Sequence, residues 1–376
     1  MKVEDLVKTV GADFYTGVPD SQLKALCDYL INTYGIDGTH HIIAANEGNC
    51  TGLAAGYYLS TGKVPVVYMQ NSGEGNAVNP ITSLLNDQVY GIPVVFIIGW
   101  RGEPGVHDEP QHIYQGKITA DMLNLLGIEY FVISKETTAS DVNKTMEYFR
   151  RRLDRGQSVA FIVRKDALDY KQNAEYKNEN IMNREEIIRH IAAVSQDDPV
   201  ISTTGKISRE LFELRDENNH THATDFLTVG SMGHCSSIAL GIALHKPELK
   251  IWCIDGDGAA LMHMGAMPVI ANNHPGNLVH IVINNGSHET VGGQPTVMKT
   301  IDFWKIAGDC GYPYSVCVKD YDGLDRELEM AKKRKELMFI EVKCGIGSRE
   351  NLGRPTISAA DNRRNFMEYL NRVKQL

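Results

Sequence analysis

Two polar motifs follow predicted strands in the second half of the chain. Gly256-Asp257-Gly258 follows the apolar run 251–254 with only Asp255 between them, and Asn284-Asn285 comes directly after the apolar run 278–283. A helix-length segment separates the two strands, and the carboxyl ends of parallel strands meet at one edge of a sheet, where open α/β sheets bind their ligands. We therefore expect Asp257 and Asn285 to lie close together.

These residues have the chemistry of a cation and phosphate site. Aspartate and amide oxygens, with a nearby backbone carbonyl, are the hard ligands that magnesium prefers, and magnesium keeps open positions for phosphate oxygens. The glycines beside Asp257 let a phosphate approach the backbone because they carry no Cβ. The predicted metal ligands are Asp257, Asn285 and Ser287. A tight strand-to-helix turn with an Asn-Asn turn is the alternative, and Asp255 fits a turn or supporting carboxylate better than a ligand.

The elements that position these motifs are indicated by short apolar runs rich in β-branched residues. Continuous rather than alternating apolarity is typical of strands buried on both faces. The runs are residues 41–43, 64–68, 92–98, 159–163, 199–201, 250–254, 278–283 and 339–342. Helix-length segments separate them, so the chain is predicted to be an α/β protein with parallel sheets flanked by helices.

The chain length and an internal similarity predict two domains of one architecture. A chain of 376 residues suits two domains of about 180 residues each. Each half ends with a charged helix, a short loop and a strand, in residues 147–163 and again in 329–342. A polar stretch ends at Asn183, which has capping-box spacing to Glu186. We expect domains at 1–170 and 183–376, joined by a linker at 171–182.

The charge and the apolar pattern exclude several classes of partner. A net charge of −9 and a pI of about 5.8 disfavour nucleic acid, which would be repelled by most of the surface. No run approaches the roughly 18–20 apolar residues of a membrane span, and the first residues do not form a signal peptide. Seven scattered cysteines without a C-x-x-C pair are typical of reduced thiols. We expect a cytoplasmic protein.

The spacing of the two polar motifs resembles the signature of thiamine diphosphate enzymes, in which G-D-G precedes N-N by about 25–30 residues. That resemblance implies thiamine diphosphate held by Mg²⁺. In this family a glutamate of a second, similarly folded domain reaches the pyrimidine ring, and segment 44–57 resembles the segment that carries it. Glu47 would exchange a proton with the ring, because desolvation raises its pKa. A carboxylate favoured by a helix N-terminus is the alternative.

A third segment, Leu227 to His234, resembles the part of the family that grips the aminopyrimidine. By that resemblance the Gly230 carbonyl accepts a hydrogen bond from the 4′-amino group, and Met232 wedges between the two rings. The alternative for Met232 is that it is simply a core residue. The loop that contains Thr204 either lines the same edge of the cofactor or is a plain strand-to-helix loop. The implied cofactor-binding residues are Glu47, Thr204, Gly205, Gly230, Ser231, Met232, Gly256, Asp257, Gly258, Ala259 and Asn285.

A closer resemblance is to the family of phosphonopyruvate and sulfopyruvate decarboxylases. It is carried by segments 17–21, 108–112 and 286–296, and by a chain length that leaves no room for the third domain of most thiamine diphosphate enzymes. The resemblance implies decarboxylation of a small anionic 2-oxo acid. 3-Phosphonopyruvate, giving phosphonoacetaldehyde and CO₂ in phosphonate biosynthesis, is favoured because sulfopyruvate enzymes are commonly split into two subunits. Sulfopyruvate, a pyruvate-type acid, or a non-catalytic magnesium-nucleotide protein remain as alternatives. The resemblance also implies a homodimer or larger oligomer with sites between subunits.

Candidates for contact with the substrate come from the same segments. Asp20 faces the substrate or caps a helix. His112 relays protons, with His107 as its alternative, or is a solvated loop histidine. The basic candidates for the substrate anion are Arg101, Lys206 and Arg209, and the sequence does not rank them.

Overall fold

The computed structural model describes residues 1–372. They divide into two compact units, residues 1–175 and residues 176 onwards. The sequence-based boundaries at 170 and 183 lie on either side of this division, and residues 373–376 of the second predicted domain lie outside the described part.

The first unit is built on a parallel sheet of six strands in the order β2-β1-β3-β4-β6-β5. Its strands are β1 Tyr15–Gly17, β2 His41–Ile43, β3 Val66–Gln70, β4 Val95–Gly99, β5 Glu129–Ile133 and β6 Val159–Val163. Its helices are α1 Val3–Val10, α2 Lys24–Tyr34, α3 Glu47–Thr61, α4 Glu74–Pro80, α5 Pro110–Leu125 and α6 Ala139–Leu153. The central strands are buried on both faces, as their continuous apolarity predicts.

The second unit has a parallel sheet of six strands in the order β11-β12-β10-β9-β7-β8. Its strands are β7 Val200–Ser202, β8 Asp225–Leu227, β9 Ile251–Gly256, β10 Leu278–Asn284, β11 Tyr314–Val318 and β12 Met338–Lys343. Its helices are α7 Arg184–Ser195, α8 Lys206–Glu217, α9 Cys235–His245, α10 Asp257–Met262, α11 Ala266–Asn273, α12 Phe303–Asp309, α13 Tyr321–Lys333 and α14 Ala359–Arg372. Buried apolar clusters cover both faces of this sheet.

The two sheets have the same topology. Numbered within its own unit, each has the strand order 2-1-3-4-6-5, and every strand pair is parallel in the described residues. The prediction of an α/β fold with two similar, helix-flanked parallel sheets is therefore confirmed. No helix in residues 1–372 is both long and apolar enough to cross a membrane.

Three of the four strands that the apolar runs did not indicate lie at sheet edges; the fourth, β1, is an interior strand of only three buried residues. β5 and β11 are terminal strands with mostly half-buried residues, and β8 is a terminal strand of three residues. An edge strand is covered on fewer sides, so its sequence lacks the continuous apolarity that marks a central strand.

The second unit's first helix begins where its capping signal predicts. The Asn183 side chain accepts hydrogen bonds from the backbone N–H groups of Glu185 and Glu186, which caps α7. The Glu186 carboxylate does not close a reciprocal capping box but pairs with Arg189.

Candidate active site

Asp257 lies at the carboxyl edge of the second sheet, as the first residue of α10, where Gly256 ends β9. Its carboxylate is buried, and Oδ2 accepts a 2.6 Å hydrogen bond from Thr296 Oγ1. Burial raises the pKa of Asp257 to about 6, although the Thr296 hydrogen bond lowers it. A cation would stabilise the charged form of this buried carboxylate, so the residues fit a metal site.

Asn285 directly follows β10, the strand that is paired with β9. Its Oδ1 accepts a hydrogen bond of 3.0 Å from the Ser287 backbone N–H, and its Nδ2 donates one of 2.9 Å to Glu289 Oε2. The Ser287 hydroxyl donates to the Gly293 carbonyl at 2.8 Å. The side chain of Asn285 is thus fixed from both ends, and the hydroxyl of Ser287 is engaged within its own loop.

Glu289 joins this loop to two basic residues. Its Oε2 accepts a 2.7 Å hydrogen bond from Arg184 Nη1, and its Oε1 accepts one of 2.7 Å from Lys206 Nζ. Arg184 also makes a bidentate ion pair with Glu210, both bonds being 2.7 Å. Burial alone would raise the pKa of Glu289, but Arg184 and Lys206 hold it below its usual value. The carboxylate that positions Asn285 is therefore charged.

Two predicted cofactor segments meet at Gly258. A Cβ placed on Gly258 would lie 3.2 Å from the imidazole of His288 and 3.4 Å from Met232 Cε. The space in front of this glycine is thus bounded by the methionine of one segment and the loop after β10. Burial lowers the pKa of His288 to about 4, so its ring is neutral at physiological pH.

The loop after β8 is backbone-constrained and tied to its neighbour. Ser231, half-way between Gly230 and Met232, has a φ of +53°, a region that non-glycine residues rarely adopt. Thr204 Oγ1 donates a 2.8 Å hydrogen bond to the Val229 carbonyl. Gly205, with a φ of +93°, then leads into α8. The predicted residues after β7, β8, β9 and β10 accordingly line one edge of the second sheet.

Glu47 lies in the first unit, where it opens α3 after β2. It is 5% exposed, and Oε2 accepts a 2.7 Å hydrogen bond from Asn76 Nδ2. A Cβ on Gly73 would lie 2.4 Å from Glu47 Oε1, so only glycine fits there. Burial raises the pKa of Glu47, more than the Asn76 hydrogen bond lowers it. A carboxyl that holds its proton at higher pH suits proton exchange with a ring nitrogen.

Asp20 is buried in the same unit at the carboxyl edge of the sheet. Its Oδ1 accepts from Gln70 Nε2 at 2.6 Å, and Oδ2 accepts from the Gln22 backbone at 3.2 Å. Burial raises its pKa against the lowering effects of Gln70 and Arg101. The helix-capping alternative is wrong, because α2 begins at Lys24 and Leu23 occupies the cap position after an intervening turn.

His112 is not a loop residue, which corrects the sequence-based expectation. It lies in the first turn of α5, because Pro110 at the first helical position starts a helix there. His107 remains in the loop before that helix. The proline of this segment therefore marks a helix start rather than an extended loop.

The three basic candidates have different surroundings. Lys206 forms an ion pair with Glu289, and Arg209 donates hydrogen bonds to the backbone carbonyls of Leu352 and Gly353. Arg101 pairs with Asp108 and also donates to Ser21 Oγ at 3.2 Å. Of the three, Arg101 is the one that the fold places beside Ser21 and Asp20.

Several residues of these two edges were not predicted to have a role, namely Thr296, Glu289, Arg184, Glu210, His288, Asn76 and Gln70. Glu289 and Thr296 lie within segment 286–296, which resembles the corresponding segment of the family. Arg184 is 105 positions from Glu289, and nothing in local spacing links such residues.

The chain matches two described families of domains. Residues 3–125 match the N-terminal TPP binding domain of thiamine pyrophosphate enzymes, and residues 203–342 match their C-terminal TPP binding domain. The matched ranges contain Glu47 in the first case and Asp257 and Asn285 in the second.

Curated relatives match almost the whole chain. A phosphonopyruvate decarboxylase of Streptomyces viridochromogenes is 32% identical over 96% of this chain and 92% of its own length. One of Streptomyces hygroscopicus is also 32% identical, over 96% and 91%. A sulfopyruvate decarboxylase of Methanosarcina acetivorans is 26% identical over 91% of this chain and 90% of its own. The chain therefore belongs to the thiamine pyrophosphate enzymes, in the family of the phosphonopyruvate decarboxylases.

Proposed function

We propose that this protein decarboxylates 3-phosphonopyruvate to phosphonoacetaldehyde and CO₂, with thiamine diphosphate and Mg²⁺ as cofactors. The observation that carries the proposal is the convergence of Asp257, Asn285, Gly258 and Met232 at one sheet edge in a family member. Identity is higher to the phosphonopyruvate decarboxylases than to the sulfopyruvate decarboxylase, 32% against 26%, which supports the choice of substrate.

The metal and the diphosphate belong to the second unit in this proposal. Asp257 and Asn285 bind Mg²⁺ through their side-chain oxygens. Ser287 binds it through its backbone carbonyl, because its hydroxyl donates to Gly293. The cofactor-binding residues are those predicted from the sequence, Thr204, Gly205, Gly230, Ser231, Met232, Gly256, Asp257, Gly258, Ala259 and Asn285, with Glu47 of the first unit.

The protein's own residues handle the protons. Thiamine diphosphate held at this edge would supply a nucleophilic carbon for the keto group and an electron sink for the loss of CO₂. Glu47 would exchange a proton with the pyrimidine nitrogen, because burial raises the pKa of its carboxyl above the usual value. Asp20 and His112 act at the substrate, Asp20 as a buried acid whose orientation is fixed by Gln70.

Arg101 is proposed to bind the phosphonate. A guanidinium has five N–H donors, and the bonds to Asp108 and Ser21 use three of them. Lys206 and Arg209 are held by Glu289 and by backbone carbonyls, respectively. A planar donor beside Asp20 matches the geometry of a phosphonate better than a lysine would.

The proposed active unit is a homodimer or a larger oligomer. Residues 1–170 would form the pyrimidine-binding domain and residues 183–376 the diphosphate domain, joined by the linker 171–182. In the family these two domains belong to different subunits, so a symmetric pair would form two equivalent sites.

The test is CO₂ release from phosphonopyruvate, sulfopyruvate and pyruvate, compared as kcat/KM with both cofactors present. Phosphonopyruvate should be preferred over each of the others, and Arg101→Met should raise KM for the two acids with a second anionic group far more than for pyruvate. Preference for sulfopyruvate would overturn the substrate assignment. No turnover of any 2-oxo acid by protein that binds the cofactor would favour a non-catalytic role.

A further inference from the structure

A second cluster of metal-binding groups lies inside the second unit, on β9, the strand that precedes Asp257, and on its neighbour β10. Cys253 and Asp255 occupy alternate positions of β9, so their side chains point to the same face, and His280 of β10 is in register with Cys253. Donor atoms of these three residues all lie within 4.8 Å of one another. All three side chains are at most 1% exposed.

Two donor atoms of this cluster have no hydrogen-bond partner among residues 1–372. Asp255 Oδ2 and His280 Nε2 are 3.8 Å apart, and both are buried without a hydrogen bond in the described part of the chain. Their other polar atoms are engaged: Asp255 Oδ1 accepts from the Gly256 N–H at 2.9 Å, and His280 Nδ1 lies 3.2 Å from the Tyr312 hydroxyl. The unpaired atoms are therefore the two that face each other, and buried polar atoms in native proteins are rarely left so.

We propose that Cys253, Asp255 and His280 bind a zinc ion. Thiolate, imidazole and carboxylate together are the donor types of protein zinc sites, in contrast to the oxygen-only set around Asp257. When Nδ1 of His280 carries the proton and donates it to Tyr312, the Nε2 lone pair is directed at the cluster, as a histidine ligand requires. The Cys253 thiol releases its proton on binding.

A fourth donor of the right kind is next to the cluster. Cys235 Sγ, at the start of α9, lies 3.4 Å from Cys253 Sγ. Ligand atoms of a tetrahedral zinc ion, bound at about 2.0–2.3 Å, are roughly 3.3–3.8 Å apart. The donor atoms of Cys253, Asp255 and His280, all within 4.8 Å of one another, need only small side-chain shifts to reach these separations. Four such ligands would make a closed structural site that links β9, β10 and α9 close to the start of α10.

The zinc site is independent of the proposed function, because it shares no ligand with the magnesium site. Since every donor is buried, the ion must enter during folding. The protein should therefore be produced with zinc in the medium, dialysed against a chelator that removes magnesium and surface ions, and analysed for metal by mass spectrometry. About one zinc per chain is expected. A metal-free wild-type protein that is folded and binds thiamine diphosphate would overturn the inference.

Variants separate this site from adventitious binding. Asp255→Asn keeps the size and the Oδ1 acceptor, and Cys253→Ser keeps the shape, so both should fold with most of their zinc lost. Cys317→Ser and Asp257→Ala lie outside the cluster and should retain it. Protein produced with cobalt should show a thiolate-to-cobalt charge-transfer band that Cys253→Ser lacks. Full zinc content in both Asp255→Asn and Cys253→Ser would contradict the assignment.

Discussion

The Asn285 side chain donates a 2.9 Å hydrogen bond to Glu289, and Arg184 and Lys206 hold the same carboxylate. One charged group thus orients a proposed metal ligand while two basic residues fix its own position. The arrangement resembles the outer shells of metal sites, in which partners of the ligands are as important for affinity as geometry.

Replacing Glu289 should therefore weaken magnesium binding without touching a ligand. We expect Glu289→Ala to raise the Mg²⁺ concentration needed for half-maximal thiamine diphosphate binding by about 10–100-fold, as changes to outer-shell partners do. Titration calorimetry at several Mg²⁺ concentrations measures this shift. The control is Glu217→Ala, which removes an exposed partner of Arg189 and should leave the Mg²⁺ requirement unchanged. An unaltered requirement in Glu289→Ala would show that Glu289 does not position Asn285.

Glu47→Gln should separate cofactor binding from turnover. The amide keeps the size of the side chain and its bond to Asn76, so the variant should fold and bind thiamine diphosphate. It should lose roughly 10²–10⁴-fold in kcat, the usual contribution of a proton-transferring residue. Hydrogen exchange at the thiazolium carbon, followed by NMR, reports the step directly. Exchange at the wild-type rate in this variant would refute the role of Glu47.

Glu74 provides a pH-dependent test of the first unit. It is buried next to Gly73, neither oxygen has a hydrogen-bond partner in the described residues, and burial raises its pKa to about 9. The folded state keeps a proton that the unfolded chain releases above its ordinary pKa. The stabilisation that this proton contributes is thus fully present below the ordinary pKa of a glutamate and is lost as the pH rises towards 9.

We expect the melting temperature of Glu74→Gln to rise relative to that of the wild type as the pH increases. The difference should be small at about pH 5.5 and larger at about pH 8.5, measured by calorimetry. The control is Glu147→Gln at an exposed position, whose melting temperature relative to wild type should not change with pH. A difference for Glu74→Gln that does not grow with pH would mean that Glu74 has a charge partner in solution.

Subunit mixing tests the proposed oligomer. Glu47→Gln and Asp257→Ala should each be nearly inactive, the second because the diphosphate would lack its magnesium ligand. If sites combine the first unit of one subunit with the second unit of another, a mixed dimer contains one site with both residues intact. Activity should then return after dissociation and reassociation of the mixture. No recovery despite demonstrated subunit exchange would contradict shared sites.

The sequence predicts the motifs at the strand ends better than the groups that support them. Asp257 and Asn285 can be placed at one edge because both follow buried parallel strands, whose apolarity is continuous. Asn76 and Arg184 cannot be paired with Glu47 and Glu289, because 29 and 105 positions separate them and tertiary folding alone brings them together.

Loops and helix starts are the other limit of sequence reasoning. Pro110 is compatible with an extended loop and with the first position of a helix, and only the packed fold decides for the helix that contains His112. The close approach of Gly73 to Glu47 and of Gly258 to Met232 is likewise a property of the folded chain.

The most direct test of the central claim is the conversion of 3-phosphonopyruvate followed by phosphorus NMR, with thiamine diphosphate and Mg²⁺ supplied together, separately, or not at all. The account predicts phosphonoacetaldehyde, in amounts equal to the CO₂ released, only when both cofactors are present, and almost none with Glu47→Gln. Unchanged phosphonopyruvate with the fully loaded wild-type protein, or conversion at the same rate after both cofactors have been removed, would contradict it.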